Sequence, residues 1–137
     1  SARSAGAREL RLDLVGLEVR SVEGGAGEVL AHVHDGADLR IALPGPLAPE
    51  EVARVRIAYG GRPRTGLYFS RDGAGRAQVF THNQPEQARA WFPCVDAPDE
   101  RQELELTLRV PRELEVVSGG ALTARAEDGD RVAFTWE

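Results

Sequence analysis

The 137-residue chain has no lysine, no methionine and a single cysteine. One cysteine excludes an internal disulfide. Cys94 stands among Phe92, Pro93 and Val95, which predicts a buried, inert thiol. A nucleophilic thiol needs a histidine partner and an electropositive setting; His82 is near in sequence, but nothing else supports such a dyad. No apolar run approaches the ~20 residues that span a bilayer, and no secretory signal is present, so no membrane partner is expected. The lone thiol is compatible with a reducing compartment, and the cytoplasm is the expected location. All 17 basic residues are arginine, and 22 acidic residues leave a net charge of −5. That balance argues against nucleic acid as a partner, because phosphate binding needs clustered cations. With no methionine to start it and an end inside the strand pattern Val132-Ala133-Phe134-Thr135-Trp136, the chain reads as a fragment of a longer multidomain protein. Residues 1–7 are expected to form a flexible lead-in, and 8–137 a single β-sandwich domain. A domain of ~150 residues buries roughly two-thirds of its unfolded surface, which is enough for a core.

What is present is short-period alternation. Leu10, Leu12 and Leu14 alternate with Arg11 and Asp13, and Leu104, Leu106, Leu108 and Val110 alternate with Glu103, Glu105, Thr107 and Arg109. Both are period-two marks of half-buried strands. Further strands are predicted around Leu17–Val22, Val29–His34, Leu39–Leu43, Val55–Tyr59, Leu67–Phe69, Gln78–Phe80, Leu114–Val116 and Val132–Trp136. Gly24-Gly25-Ala26-Gly27, Asp35-Gly36, Pro44-Gly45-Pro46, Gly60-Gly61 and Asp72-Gly73 supply turns between them. Almost no helical periodicity occurs, so the predicted class is all-β, a sandwich of mostly antiparallel strands.

Residues 84–98, QPEQARAWFPCVDAP, interrupt this pattern. Pro85 suits the first turn of a helix, Glu86 and Arg89 fall three apart on one face, and Pro93 ends any helix. One short helical turn near 85–91 is therefore predicted. Trp91, Phe92, Cys94 and Val95 follow as a cluster of buryable side chains, with Trp91 expected to pack rather than to bind ligand. Ordering such a segment costs backbone entropy, and loops held in one shape often carry function.

The segment resembles one in the N-terminal domain of the zinc aminopeptidases related to aminopeptidase N and leukotriene hydrolase. Their pattern runs approximately Q-x-E-P-x-x-A-R-x-x-F-P-C-x-D-E-P, and Pro85, Ala88, Arg89, Phe92, Pro93, Cys94, Asp96 and Pro98 match it in register. Gly66-Leu67-Tyr68 looks like the family's GLY element, and Ser118-Gly119-Gly120-Ala121-Leu122 like its SNGxL turn. The three elements span 66–122. The resemblance implies a large bent β-sandwich that caps the active-site cleft of a parent aminopeptidase, a hydrolase removing N-terminal residues from peptides. It also implies zinc in the parent's catalytic domain, bound through H-E-x-x-H and a further Glu.

This chain contains no such motif, so no catalytic residue, no metal ligand and no cofactor of its own are expected. His32-x-His34 faces one side of a strand, but two ligands are too few for a closed site. The Gly-rich turns lack the context of a nucleotide loop, and Ser118-Gly119 lacks that of a nucleophile elbow. By resemblance, the family's substrate-anchoring acid falls on Gln84 and the adjoining pocket Gln on His82. Gln84 offers an ammonium group an amide oxygen but no charge. A shifted register would make Glu86 the anchor and would break the match at Pro85 and Arg89. Arg89 and Asp96 are expected to support the loop. The implied partners are the N-terminus of a peptide substrate and the parent's own catalytic domain. Two alternatives stand beside this reading: a non-enzymatic scaffold subunit of the same fold group, and a free-standing protein-binding or sugar-binding β-sandwich.

Overall fold

The computed structural model describes residues 6–99 and 102–137, and their regular secondary structure is antiparallel strands with one 3-10 turn. They fall into two compact units, Ser1–Glu100 and Arg101–Glu137. The predicted all-β class is the one the chain adopts. Of the lead-in expected over 1–7, residues 1–5 lie outside the described residues. The Gly6 N–H donates to Leu47 O at 2.8 Å and the Leu47 N–H to Ala7 O at 3.0 Å.

In the first unit, β1 (Glu9–Asp13), β4 (Asp38–Ala42) and β3 (His32–His34) form one sheet in the order β1-β4-β3. Leucine alternation sets its register: Leu10 pairs with Ile41 and Leu12 with Leu39. A slip of one residue would turn the apolar set to water. A second pair joins β2 (Glu18–Gly24) to β5 (Val55–Gly60), with a register shift between Val19 and Ser21. Leu14, Leu17, Val22, Leu30, Leu39 and Ile41 form the buried core, and Leu10, Leu12, Val19, Val55, Ile57 and Tyr59 pack against it. Each fully buried aliphatic side chain here contributes about 1.5–3 kcal/mol.

A two-stranded ribbon follows, β6 (Gly66–Arg71) against β7 (Ala77–His82). Its turn is built on Asp72, whose Oδ1 accepts from the N–H groups of Ala74 and Arg76, both at 2.9 Å. The Arg76 backbone and side-chain hydrogen bonds hold the Asp72 carboxyl below its ordinary pKa. Period-two pairing sets Gly66 opposite His82 and Tyr68 opposite Phe80 on one face, with Phe69 and Val79 on the other. The expected helical turn appears as a single 3-10 turn, Ala88–Ala90.

In the second unit, β10 (Arg131–Trp136) lies between β8 (Leu106–Pro111) and β9 (Leu122–Asp128). Val132 and Phe134 are buried, and the Arg125 guanidinium lies 5.5 Å from the Phe134 ring centroid. One strand prediction fails in this unit. Leu114 and Val116 are not in a strand: Pro111 closes β8, the Leu114 N–H turns back to Pro111 O at 3.0 Å, and neither pairs with a strand among the described residues. The third strand is instead β9, all of whose residues are exposed. The β8 alternation is also shorter than predicted, starting at Leu106 rather than Leu104.

Candidate functional site

The predicted site residues occupy the end of β7 and the irregular segment after it. His82 closes β7 and is exposed; Gln84 stands two residues on, also exposed, in a turn whose Gln84–Pro85 peptide is cis. The Gln84 side-chain amide makes no hydrogen bond to any described residue. Its neighbours are tied down. Asn83 Oδ1 accepts from Trp91 Nε1 at 2.9 Å, and Asn83 O accepts from the Gln87 N–H at 3.0 Å. Gln87 Nε2 donates to Gln84 O at 3.3 Å, while its Oε1 accepts from the Tyr68 hydroxyl at 3.0 Å. Trp91 is half-buried, edge-on to Phe92 with ring centroids 4.6 Å apart.

Arg89 and Asp96 lie at the centre of the segment. Asp96 Oδ2 accepts from both the Arg89 N–H and Arg89 Nε, each at 3.1 Å, and Arg89 Nη2 donates to Asp96 O at 2.7 Å. The same guanidinium reaches Glu86 Oε2 at 3.2 Å and Asp13 Oδ1 at 3.5 Å. The hydrogen bond that Arg89 donates to Asp96, with the charges of Asp13, Asp96 and Glu86 also contributing, raises the Arg89 pKa above its ordinary value. Glu86 is thus engaged by Arg89, whereas the Gln84 amide has no hydrogen-bond partner among the described residues. Asp13 completes the hub: its Oδ2 accepts from the Asp96 N–H at 3.0 Å, and its backbone bridges that of Cys94. Cys94 is buried beside them, and desolvation, aided by the Asp96 and Asp13 carboxylates, pushes its thiol up to about 12. A thiol so perturbed holds its proton at neutral pH and is no nucleophile.

Gly66 explains why the GLY element belongs to this site. Its φ is +78°, and a Cβ there would collide with the Gln87 carbonyl oxygen and come within 3.0 Å of Trp91 Cδ1. Only glycine lets the ribbon approach the loop backbone so closely. Sequence reasoning missed Asp13, Asn83, Tyr68 and Gln87. Tyr68 carried a signal, since it belongs to the GLY element; Asp13 carried none beyond an acid at a strand end.

An apolar cavity of about 500 Å³ opens elsewhere in the same unit, lined by residues that include Leu10, Leu12, Ile57, Tyr59, Phe92 and Pro93 but neither His82 nor Gln84. Glu51 and the Tyr59 hydroxyl add polar groups to that lining. Among the described residues, no group of three or more His, Cys, Asp or Glu side chains is placed to hold a metal ion. His32 and His34 share the strand face that pairs with Ile41 and Leu39, and His34 Nε2 donates to Leu14 O at 2.8 Å. No helix among the described residues is long and apolar enough to cross a membrane.

Residues 7–137 match the Peptidase M1 N-terminal domain family. The chain is 23% identical over 138 residues to a probable aminopeptidase 1 of Sulfurisphaera tokodaii, covering 94% of this chain and 16% of that protein. It is 31% identical over 103 residues to mouse (Mus musculus) aminopeptidase O, covering 74% of this chain and 12% of that one. This chain therefore spans a small part of these relatives' length. Among solved structures, an M1 zinc metallopeptidase from Deinococcus radiodurans superposes with a TM-score of 0.83 at 22% identity, covering 96% of this chain and 31% of that one. A mutant of the same enzyme bound to a Tyr-Ser-Ala substrate gives a TM-score of 0.83 at 24% identity, with the same coverage. These likenesses establish a shared fold, and the match along nearly the whole chain establishes more: the chain belongs to the Peptidase M1 N-terminal domain family.

Proposed function

We propose that this chain is the non-catalytic N-terminal domain of a zinc-dependent aminopeptidase, that it caps the active-site cleft, and that Gln84, with His82 beside it, receives the free α-amino group of a peptide substrate. The observation that carries this is the contrast at Gln84. It is exposed and its amide has no hydrogen-bond partner among the described residues, while Asn83 and Gln87 on either side are held by side-chain and backbone hydrogen bonds. An amide oxygen in that position accepts an ammonium N–H. Being neutral, it gives up the charge assistance a carboxylate would add, so the contact orients the terminus more than it tightens it. His82 supplies a second polar group, whose ring nitrogens can donate or accept a hydrogen bond. Zinc held by the parent's separate catalytic domain would supply polarisation of the scissile carbonyl. This domain's part is to fix how far the substrate terminus lies from that centre, which is what limits cleavage to one residue at a time.

The test is Gln84→Ala in the full reading frame that carries this domain, assayed on several aminoacyl arylamides. Loss of a hydrogen bond to a charged group should raise KM about tenfold or more with the melting temperature unchanged. Unchanged KM and kcat on every substrate would remove the anchor. A reading frame without H-E-x-x-H would sink the enzyme reading altogether and leave a scaffold of the same fold group.

A further inference from the structure

The hydrogen bonds around Gln87 form a relay that ends at the proposed anchor. We propose that Gln87, oriented by Tyr68, is a positioning residue for Gln84; this rests on the reading of Gln84 as the amine anchor. Gln87 secures two consecutive carbonyls of the turn. Its backbone N–H donates to Asn83 O at 3.0 Å, and its side-chain Nε2 donates to Gln84 O at 3.3 Å. Its other amide end is taken by the Tyr68 hydroxyl, which donates to Oε1 at 3.0 Å. The Gln84 carbonyl, which only accepts, decides the sense of the amide, and the Tyr68 hydroxyl holds it by donating to the Oε1 turned toward the ribbon.

Tyr68 is a suitable post for this purpose. It stacks on Phe80 with ring centroids 5.3 Å apart and an interplanar angle of 19°, on the ribbon face that also carries His82. Gly66, on the same strand, brings the Gln87 carbonyl against the ribbon. The relay thus runs from the Tyr68–Phe80 stack through the Gln87 amide to the backbone of Gln84. A glutamine side chain loses rotamer freedom when fixed, and here both ends of its amide are bonded. The gain is preorganisation: with its backbone held, Gln84 has only its own side-chain rotamers left to order when the ammonium arrives. Nothing in the relay touches the reacting atoms, so its loss should be felt in substrate binding more than in turnover.

The experiment is a double-mutant cycle in the full reading frame, with Gln84→Ala, Gln87→Ala and the pair, and with Tyr68→Phe and Gln87→Glu beside them. Gln87→Ala should raise KM for aminoacyl arylamides roughly two- to tenfold, with kcat little changed. Its effect should vanish in the Gln84→Ala background, since an absent anchor cannot be mispositioned. Gln87→Glu keeps an acceptor for Tyr68 but loses the donor to Gln84 O, so it should behave like Gln87→Ala; a wild-type KM would overturn the proposal. Tyr68→Phe removes one oxygen and should reproduce part of the Gln87→Ala effect. It carries the test if Gln87→Ala lowers the melting temperature. Effects of Gln84→Ala and Gln87→Ala that simply multiply would overturn the positioning role and leave the anchor standing. No effect of Gln84→Ala would remove the anchor and the relay's purpose with it.

Discussion

Arginine faces carboxylate in both units of this chain, in two different settings. Arg89 has a side chain 27% exposed and reaches Asp96, 12% exposed, along with Asp13 and Glu86. In the second unit Arg109 is 67% exposed and its partner Asp128 58%, and the other paired arginines there, Arg112 and Arg125, are about half exposed. Ion pairs as open as these are worth about 0–1 kcal/mol, because water screens them and two long side chains must be ordered. The Arg89 hub differs in kind. It bonds backbone as well as side-chain atoms of the loop, and through Asp13, the last residue of β1, it ties the loop to the sheet. The contrast teaches that charge pairing shapes this domain where it is half-buried and multiply bonded, and decorates it elsewhere.

The largest effect should come where the ribbon meets the hub segment. Gly66→Ala forces a Cβ into the Gln87 carbonyl at a positive φ, and should cost about 3 kcal/mol in urea denaturation followed by tryptophan fluorescence. A loss below about 1 kcal/mol would show that the loop yields easily, and the hub would then be less of a constraint than its bonds suggest. Arg89→Ala comes next. It strands Asp96 and Asp13 with no cation in a half-buried site, a loss of about 2–3 kcal/mol once partial exposure is allowed for. Arg89→Lys keeps the charge but not the planar fork that reaches Asp96 at both its carboxylate and its carbonyl, so it should recover less than half of that loss. Full recovery would mean that charge alone, rather than geometry, holds the segment.

Much of the fold was legible because leucine alternation is a strong signal where one strand face is buried, as in β1 and β8. β9 was not legible, since its alternating positions are Leu122, Ala124 and Ala126 and every residue is exposed. The turn Asp128-Gly129-Asp130, with Gly129 at φ +63°, was the available clue to the hairpin. Leu114 and Val116 failed for the opposite reason: propensity was present and a pairing strand was not. At the site, Arg89, Asp96 and Gln84 were reached through the family pattern rather than through composition. Asp13 joins Asp96 across 83 residues of sequence, a separation that no local pattern reports. Gln87 occupies a variable position of that pattern, and only the Tyr68 hydroxyl 19 residues upstream gives it a role.

The smallest expected effect tests the other side of the comparison. Arg109 Nε lies 3.5 Å from Asp128 Oδ2 on the exposed face of the three-stranded sheet, and both side chains are more than half in water. Arg109→Ala should cost less than about 0.5 kcal/mol in the same urea titration, and added salt should erase what remains. The position is paired with Ala133 on β10, so the truncation opens no cavity and leaves Asp128 hydrated rather than stranded. If Arg109→Ala cost as much as Arg89→Ala, exposure would not be what separates the two sets of arginines. The explanation would then have to lie in the sheet, with the long Arg109 stem covering apolar surface that its charge has no part in protecting.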